Sequence, residues 1–295
     1  MKTHEIAVAM EKQMDLKTNI IAIKGAKWKH NFLMKLAISK EFPTRLRVFH
    51  IFRNLWGLDL LEFTTPSGLK LLLDISDWVQ SQIYFHGTYE AKSVGLFKKL
   101  AAKASVVFDI GSHIGQYALE CAQDDNAMAK QIFAIEVNPK TFTYLLNNIQ
   151  LNEFLNVKAV LGAVAATPDI LNISIPAYWN MGNTQINERD EIAGFDNYLA
   201  ASFSITTLLK KYNLTHIDLV KIDVEGHEHG VLNSLFKENI YPADIIFEHI
   251  PEVFTQASAL MILLKENGYR ITDIFGEEYT GQKEIVEYNL WAHKI

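Results

Sequence analysis

The sequence predicts an α/β fold in which a doubly wound, mostly parallel sheet ends in an antiparallel hairpin. From Val106 onward, short apolar runs alternate with amphipathic segments of helical period, which is typical of parallel sheets whose crossovers are helices. The first apolar run ends in an acid and a glycine-spaced turn that opens a helix. The last two runs, 271–275 and 287–292, lie close enough together in the sequence to pair as a hairpin.

The region ahead of the sheet is predicted to have two parts. Residues 1–56 form a helical extension, in which four apolar residues follow the i, i+3, i+4, i+7 spacing of one helix face: Val48, Ile51, Phe52 and Leu55. Residues 57–103 contain two β-rich runs around Pro66-Ser67-Gly68, which indicate a hairpin, and then a linking segment with a short helix. Residues 104–295 are predicted to form the domain that is built on the sheet.

Five parallel strands are predicted in this domain, over residues 106–109, 131–137, 157–164, 217–223 and 244–248. Helices are predicted to begin at Ile114, at Pro139 and near His227. Asn138 and Pro139 mark the second of these starts, because asparagine is a good N-cap and proline suits the first helical position. A further amphipathic helix is predicted to end at Gly268.

Composition indicates a globular protein whose charge is unevenly distributed. The 295 residues carry a net charge of −6, but residues 1–56 hold 11 basic and 4 acidic side chains, while the rest hold 17 against 30. Residues 57–295 thus have a net charge of −13, which would repel phosphate groups, so a nucleic-acid substrate is not expected. The basic extension is interpreted as a solvated helical face that complements the acidic body. Contact with a partner, with an anionic membrane or with a second copy of the chain is the alternative.

No feature of the sequence predicts a membrane span or a secretory signal. An uninterrupted apolar run of about 18 residues is lacking, and the first twenty residues alternate charged and apolar side chains. The single cysteine, Cys121, rules out an intrachain disulfide and falls on an apolar helix face. A soluble protein of the reducing cytoplasm is therefore expected.

The turn after the first strand predicts the binding of an adenosine-containing cofactor. Gly111 and Gly115 lack the side chains that would keep a ligand away from the backbone. Glu136 closes the second apolar run 21 residues after Gly115. An acid at that offset is placed to bind two ribose hydroxyls at the carboxyl ends of neighbouring strands.

The spacing within this turn distinguishes between candidate cofactors. Ser112 and His113 stand where the dinucleotide fingerprint Gly-x-Gly-x-x-Gly needs its central glycine, which disfavours a pyrophosphate. The smaller amino-acid end of S-adenosylmethionine fits such a turn, and Asp109 is placed to meet its ammonium group. The predicted terminal hairpin also suits the methyltransferase version of the sheet.

A second polar run, KIDVEG over residues 221–226, predicts the reacting end of the site. Lys221, Asp223 and Glu225 share one side of the fourth strand until the chain turns. The carboxyl end of this strand lies beside that of the first, where open α/β sheets bind ligands. Methyl transfer needs aligned reactants and a base for the hydroxyl proton. Four residues are candidates for that base: Asp223, Glu225, His227 and His249.

The chain resembles the FkbM-type methyltransferases, which are class I, Rossmann-like enzymes that O-methylate sugars, polyketides and related small molecules. The resemblance covers roughly residues 78–279. It rests on five motifs: GTYE at 87–90, FDIGSHIG at 108–115, AIEVNP at 134–139, NNIQLN at 147–152 and LVKIDVEGHE at 219–228.

The resemblance implies that Asp109, Gly111 and Gly115 lie along S-adenosylmethionine and that Glu136 holds its ribose. Residues within or beside the motifs complete the predicted cofactor-binding set: Tyr89, Glu90, Ser112, His113, Ile114, Val137, Asn138, Ala163 and Asp223. One departure is His113, because the family usually has asparagine at this position, and the contacts with the cofactor's carboxylate are open there.

The resemblance also implies that Asp223 and Glu225 face the reacting end of the cofactor. Together with Glu248 and His249 they could hold a divalent cation, although their spacing matches no metal motif. The insert 176–184 is rich in aromatic and amide side chains, which suit a sugar or another polyhydroxyl acceptor. An ordinary loop that packs its own tryptophan is the alternative.

The expected protein is therefore an S-adenosylmethionine-dependent O-methyltransferase whose acceptor is a small molecule or a glycan. A nicotinamide-dependent oxidoreductase on a similar sheet is one alternative, which the missing glycine of the turn disfavours. A non-catalytic cofactor-binding scaffold that acts through residues 1–56 is the other, and the intact acids at both strand ends disfavour it.

Overall fold

The alternating pattern corresponds to a seven-stranded sheet in the computed structural model of the chain. The structure describes residues 28–29, 32–33, 35, 45–123, 130–176, 181–182, 184–187, 195–250, 257–281 and 285–295. The chain folds as two units, Met1–Tyr89 and Glu90–Ile295. The division into three parts at residues 56 and 103 stays a prediction.

In its described residues, the first unit contains the predicted hairpin, the two helices given below, and further helical residues at 28–29, 32–33 and 35. Helix α1 spans Arg45–Trp56, and strands β1 (Leu60–Thr64) and β2 (Lys70–Asp74) pair antiparallel. Helix α2 (Trp78–His86) occupies part of the predicted linking segment. It forms because the Asp77 side chain accepts a hydrogen bond from the Gln80 N–H at its start, while Gly87, with φ +83°, ends it. Most of the predicted extension lies outside the described residues.

The second unit begins with helix α3 (Ala91–Ala101) and then alternates strands with helices. The elements in order are β3 (Val106–Ile110), α4 (Gln116–Ala122), β4 (Gln131–Glu136), α5 (Pro139–Leu151), β5 (Val157–Leu161), β6 (Ala163–Val164), β7 (Ile170–Pro176), β8 (Gln185–Asn187), β9 (Phe195–Phe203), α6 (Ile205–Lys211), β10 (Leu219–Ile222), α7 (Glu228–Lys237), β11 (Asp244–Glu248), α8 (Ala257–Glu266), β12 (Tyr269–Asp273) and β13 (Asn289–Lys294). None of the helices in the described ranges is both long enough and apolar enough to cross a bilayer.

The main sheet has the strand order β12-β13-β11-β10-β3-β4-β5. Strand β13 runs antiparallel to both of its neighbours, whereas the pairs from β11 to β5 are parallel. The predicted fold class, a doubly wound and mostly parallel sheet with a terminal antiparallel hairpin, is confirmed. The strand order reverses between β3 and β10, because the chain builds outward from β3 in one direction and returns to its other side.

Several predicted boundaries differ from the structure by two or more residues, and in two cases a glycine explains the difference. Residues 157–164 are not one strand, because Gly162, with φ +146°, separates β5 in the main sheet from β6 in a second sheet. The first helix of the sheet begins at Gln116 rather than at Ile114. Gly115 takes the N-cap position in the left-handed region, with φ +90°, and so delays the helix by two residues.

A second sheet, with the order β6-β9-β7-β8, is formed between β5 and α6 of the chain. Strands β7 and β9 pair antiparallel over seven residues of each strand. The sequence pattern did not predict this sheet, because apolar side chains of its strands, such as those of Ile170 and Leu199, are exposed and do not follow a regular pattern of burial. Part of the predicted acceptor insert, residues 177–180 and 183, lies outside the described residues.

The core of the second unit packs on the main sheet. Phe108 of β3 and Phe133 of β4 are fully buried and stack with ring centroids 4.6 Å apart. Burying an aromatic side chain of this size contributes roughly 2 to 3 kcal/mol. This packing holds neighbouring strands in register and so fixes the position of the residues at their carboxyl ends.

Candidate active site at the carboxyl edge of the sheet

The carboxyl ends of four neighbouring strands place four residues in one row. Ile222 of β10 is in register with Phe247 of β11 and with Ile110 of β3, which is in register with Ile135 of β4. The residues that follow these are therefore level with one another: Glu248, Asp223, Gly111 and Glu136. Because the strand order reverses between β10 and β3, this row lies where open α/β sheets bind ligands.

The two glycines of the turn are required by contacts within the protein itself. A Cβ atom on Gly111 would lie 1.7 Å from the carbonyl oxygen of Asp223, and one on Gly115 would lie 2.5 Å from the Cδ1 atom of Leu145. Both glycines also have positive φ angles, of +79° and +90°. The turn is therefore packed directly against the strand that carries the second acidic motif.

Glu136 is held in place by the backbone on both sides of it. Its two carboxylate oxygens accept hydrogen bonds from the N–H groups of His113, at 2.7 Å, and Asn138, at 2.8 Å. The side chain is buried. Each oxygen keeps a further lone pair, so the carboxylate can accept additional hydrogen bonds from hydroxyl groups.

Asp109 is completely buried, and only one of its two carboxylate oxygens accepts a hydrogen bond in the described structure. Its Oδ2 atom accepts a hydrogen bond from the Ala118 N–H at 3.1 Å, whereas its Oδ1 atom has no hydrogen-bond partner among the residues that the structure describes. Burial raises the pKa of Asp109 to about 6, although Lys221 opposes the shift. A buried carboxylate oxygen without a partner is costly, so this atom could accept a donor group of a ligand.

Lys221 is a buried cation among acids. Its Nζ atom donates to Asp223 Oδ2 at 2.9 Å and lies 4.6 Å from the centroid of the Tyr117 ring. Three carboxylates act on its charge, those of Asp223, Asp109 and Glu90. Burial disfavours the ammonium form, but these carboxylates outweigh burial and hold the pKa of Lys221 above its usual range.

Glu90 joins this group from the start of α3. Its Oε2 atom accepts a hydrogen bond from the Tyr117 hydroxyl at 2.6 Å. Burial raises the pKa of Glu90 to about 7, against the opposing charge of Lys221. Tyr89 belongs to the first unit, where its ring contacts Trp78 edge to face at 5.7 Å.

Two more acids lie in or next to the turn after β10, and they differ in their hydrogen bonds and in their pKa values. Glu228 uses its Oε1 atom to accept hydrogen bonds from the N–H groups of Val224, at 3.0 Å, and Gly226, at 3.2 Å. It therefore stabilises the turn. Glu225 lies within this turn at φ +52°, and burial together with the charges of Asp223 and Glu228 raises its pKa to about 8.

Glu248 ends β11 on the other side of β10. Burial raises the pKa of Glu248 to about 10, and Asp223 and Glu225 add to the shift. Its Oε2 atom is buried and has no hydrogen-bond partner in the described part of the chain. This edge of the sheet is therefore strongly acidic.

The two histidine candidates for the base occupy different environments. His227 is the N-cap residue of α7 and its side chain is exposed. His249 is buried, with its ring centroid 6.1 Å from that of Phe247 and 5.8 Å from that of Tyr279. The catalytic roles of both histidines stay predictions.

The hypothesis of a cation held by Asp223, Glu225, Glu248 and His249 receives no support. Within the described ranges, no group of three or more histidine, cysteine or acidic side chains is arranged to hold a metal ion. The acids of this edge instead share the ammonium group of Lys221.

The other predicted cofactor-binding residues lie in or beside the turn and β4. Ser112 donates from its hydroxyl to the Ile135 carbonyl oxygen at 3.2 Å, and Ile114 is buried. Val137 is partly exposed after β4, and Ala163 is buried in β6 of the second sheet. Their contacts with a cofactor stay predictions.

Three residues that contact the site's acids or α3 were not predicted as site residues from the sequence, namely Lys221, Tyr117 and Glu287. A lysine inside an otherwise apolar strand was the available signal for Lys221. Glu287 accepts hydrogen bonds from the Ser93 N–H and hydroxyl, both at 2.8 Å, and so caps α3 next to Glu90. No local pattern could indicate this contact, because the two residues are 194 positions apart.

The sequence profile described as the methyltransferase FkbM domain matches residues 109–271, which is more than half of the chain. The matched range begins at Asp109 and includes Glu136, Asp223, Glu225 and Glu248. It therefore covers the whole acidic row.

Individual relatives match shorter parts of the chain. The tRNA (guanine(37)-N(1))-methyltransferase Trm5b of Pyrococcus abyssi is 29% identical over 115 residues, which cover 38% of this chain and 32% of that protein. The hexuronic acid methyltransferase AglP of Haloferax volcanii is 27% identical over 146 residues, which cover 50% of this chain and 56% of that protein. The chain thus spans between about a third and just over half of the length of these curated relatives.

Solved structures are similar at a lower level. The structure of a precorrin-6y C5,15-methyltransferase from Geobacter metallireducens has a TM-score of 0.42 and 15% sequence identity. The alignment covers 70% of this chain and 90% of that one.

Proposed function

Because the chain belongs to the FkbM methyltransferase family, as its motifs predict, we propose that it is an S-adenosylmethionine-dependent O-methyltransferase. The acceptor we propose is a hydroxyl group of a glycan or of a small natural product. One observation carries the proposal, namely the row of acids at the point where the strand order reverses.

The chemistry of this row fits S-adenosylmethionine, whose sulfonium and ammonium groups are both cationic. Asp109 offers a buried oxygen without a hydrogen-bond partner in the described structure, which suits the ammonium group. Glu136 offers a fixed carboxylate with free lone pairs for the ribose hydroxyls. Asp223 follows on the neighbouring strand. A dinucleotide fits this group of carboxylates poorly, because they would repel its negatively charged pyrophosphate.

The chain's own residues would align the acceptor and remove its proton. When bound, the cofactor supplies an electrophilic methyl group on a positively charged sulfur. Asp223 is paired with Lys221 and Glu228 stabilises the turn, so neither is the best base. Glu225 is partly exposed next to both, and its raised pKa of about 8 suits a group that accepts a hydroxyl proton near neutral pH.

Two observations support the proposed acceptor class. The insert between β7 and β8 contains aromatic and amide side chains, which suit polyhydroxyl compounds. The name of AglP describes hexuronic acid as the acceptor of that relative. The single cysteine of the chain, Cys121, is buried, which is consistent with the cytoplasm as the proposed location.

Calorimetric titration with S-adenosylhomocysteine and with NAD tests the proposed function. We expect micromolar binding of S-adenosylhomocysteine and at least a hundredfold weaker binding of NAD. Tighter binding of NAD would contradict the proposal and favour an oxidoreductase. Binding of S-adenosylhomocysteine without methyl transfer to any member of a panel of glycosides and alcohols would favour the scaffold alternative.

Glu136→Gln is expected to weaken S-adenosylhomocysteine binding roughly tenfold to a hundredfold, because a hydrogen bond to a charged group contributes about 1.5 to 3 kcal/mol. The same calorimetric titration measures the effect. Glu266→Gln on the exposed side of α8 serves as the control and should leave the affinity unchanged. Equal affinities for the wild type and Glu136→Gln would show that Glu136 does not bind the cofactor.

A further inference from the structure

We propose that Asn138 is a positioning residue that links the ribose-binding acid Glu136 to Met181 and Thr184 ahead of β8, so that cofactor binding restrains residues 184–187 on the acceptor side of the site. The inference rests on the proposed function for the identity of the cofactor. Asn138 is predicted from the sequence only as an N-cap and as a neighbour of the cofactor.

Every polar group of Asn138 is engaged, and the partners lie in three places. Its backbone N–H donates to Glu136 Oε1 at 2.8 Å, and its Oδ1 atom accepts from the Lys140 N–H at 2.9 Å. Its Nδ2 atom donates to the carbonyl oxygen of Met181 at 3.1 Å and to the hydroxyl oxygen of Thr184 at 3.2 Å. The residue is fully buried, so solvent water does not compete for these hydrogen bonds.

A helix cap alone does not require this amide group. Serine and aspartate cap helices about as well as asparagine does, since only an acceptor oxygen is needed. The Nδ2 atom supplies something else, which is a pair of donors buried against the chain ahead of β8. The backbone of the same residue fixes Glu136, so one residue spans both sides of the site.

A second contact between α5 and the second sheet is weaker. Lys140 forms an ion pair with Asp196 of β9 at 2.5 Å, but both side chains are more than a third exposed. Exposed ion pairs contribute at most about 1 kcal/mol. Among the described contacts, the buried amide of Asn138 therefore provides the stronger connection between the start of α5 and the residues ahead of β8.

Asn138→Ser separates the two roles of the residue. It keeps an oxygen for the helix cap and the N–H for Glu136, adds no charge, and is too short to reach Met181 and Thr184. Asn147→Ser is the matched control, because Asn147 lies on the same helix and its Nδ2 atom donates within that helix, to the carbonyl oxygen of Thr143 at 2.7 Å.

Amide hydrogen exchange with and without S-adenosylhomocysteine is the test. In the wild type and in Asn147→Ser, we expect S-adenosylhomocysteine to slow exchange at residues 184–187 at least threefold. In Asn138→Ser that protection should be lost, while protection at residues 111–115 persists at a saturating concentration of S-adenosylhomocysteine.

Equal protection of residues 184–187 in Asn138→Ser and the wild type would overturn the inference, and so would wild-type protection confined to residues 111–115. Failure of S-adenosylhomocysteine to bind the wild type would instead overturn the proposed function. In that case the exchange rates without ligand still decide whether Asn138 holds the chain ahead of β8, since Asn138→Ser should then exchange faster at 184–187 than Asn147→Ser.

Discussion

Replacing Lys221 with methionine is expected to lower the free energy of unfolding by about 3 to 5 kcal/mol, the usual cost of removing one partner from a buried ion pair. The Lys221 side chain is 4% exposed and is the cation on which Asp109, Asp223 and Glu90 depend. Methionine fills a similar volume, so the decrease in the free energy of unfolding comes from the lost charge and not from a cavity. Urea denaturation followed by circular dichroism measures it.

The deficit of Lys221→Met should grow as the pH rises. The pKa values of Asp109 and Glu90 are raised to about 6 and about 7 in the folded state, so these groups favour folding while they are protonated. That contribution is complete below their unfolded pKa and is lost as the pH rises through these values. Without the ammonium group, each ionised carboxylate costs more, so the deficit should be smallest near pH 5 and largest above pH 7.

Lys158→Met provides the matched control. Lys158 also lies in a strand of the main sheet, with its Nζ atom 5.3 Å from the ring centroid of Phe133 and 5.1 Å from that of Tyr212. Its described polar contact is with Gln131 rather than with a carboxylate. We expect its replacement to cost less than about 1 kcal/mol. Equal and pH-independent losses for both variants would show that Lys221 is not a counterion.

The sequence predicted the central strands of the main sheet well because they are buried on both faces. Strands β4 and β11 lie within one residue of their predicted bounds, since an uninterrupted apolar run allows few alternatives. Strand β9 has no such run, and its Leu199 is 72% exposed. Contacts with β7 stabilise this strand, and a pattern within one segment does not contain that information.

The acids of the site were predictable for a similar reason. Parallel strands end at one edge of a sheet, so Glu136 and Asp223 could be placed near each other once their strands were recognised. Side-chain contacts between separate elements around the site were not predictable. The Tyr117 hydroxyl reaches Glu90, and Asn138 reaches Thr184, only through the packing of separate elements.

Glu225→Gln is expected to lower kcat for methyl transfer by about 10²- to 10⁴-fold, the usual contribution of a general base. Glutamine has the same shape but cannot accept the hydroxyl proton. The affinity for S-adenosylhomocysteine should change less than threefold. Transfer is measured with the best acceptor from a panel of glycosides and alcohols, and Glu238→Gln, a change at the far end of α7, is the control.

The pH profile separates a base from a residue that only shapes the turn. Burial and the charges of Asp223 and Glu228 raise the pKa of Glu225 to about 8, and a base acts in its deprotonated form. Wild-type kcat should therefore rise roughly tenfold per pH unit below about pH 8 and level off above it. The residual rate of Glu225→Gln should lack this dependence. If the variant keeps the wild-type profile while Asp223→Asn abolishes it, Asp223 is the base and Glu225 supports the turn.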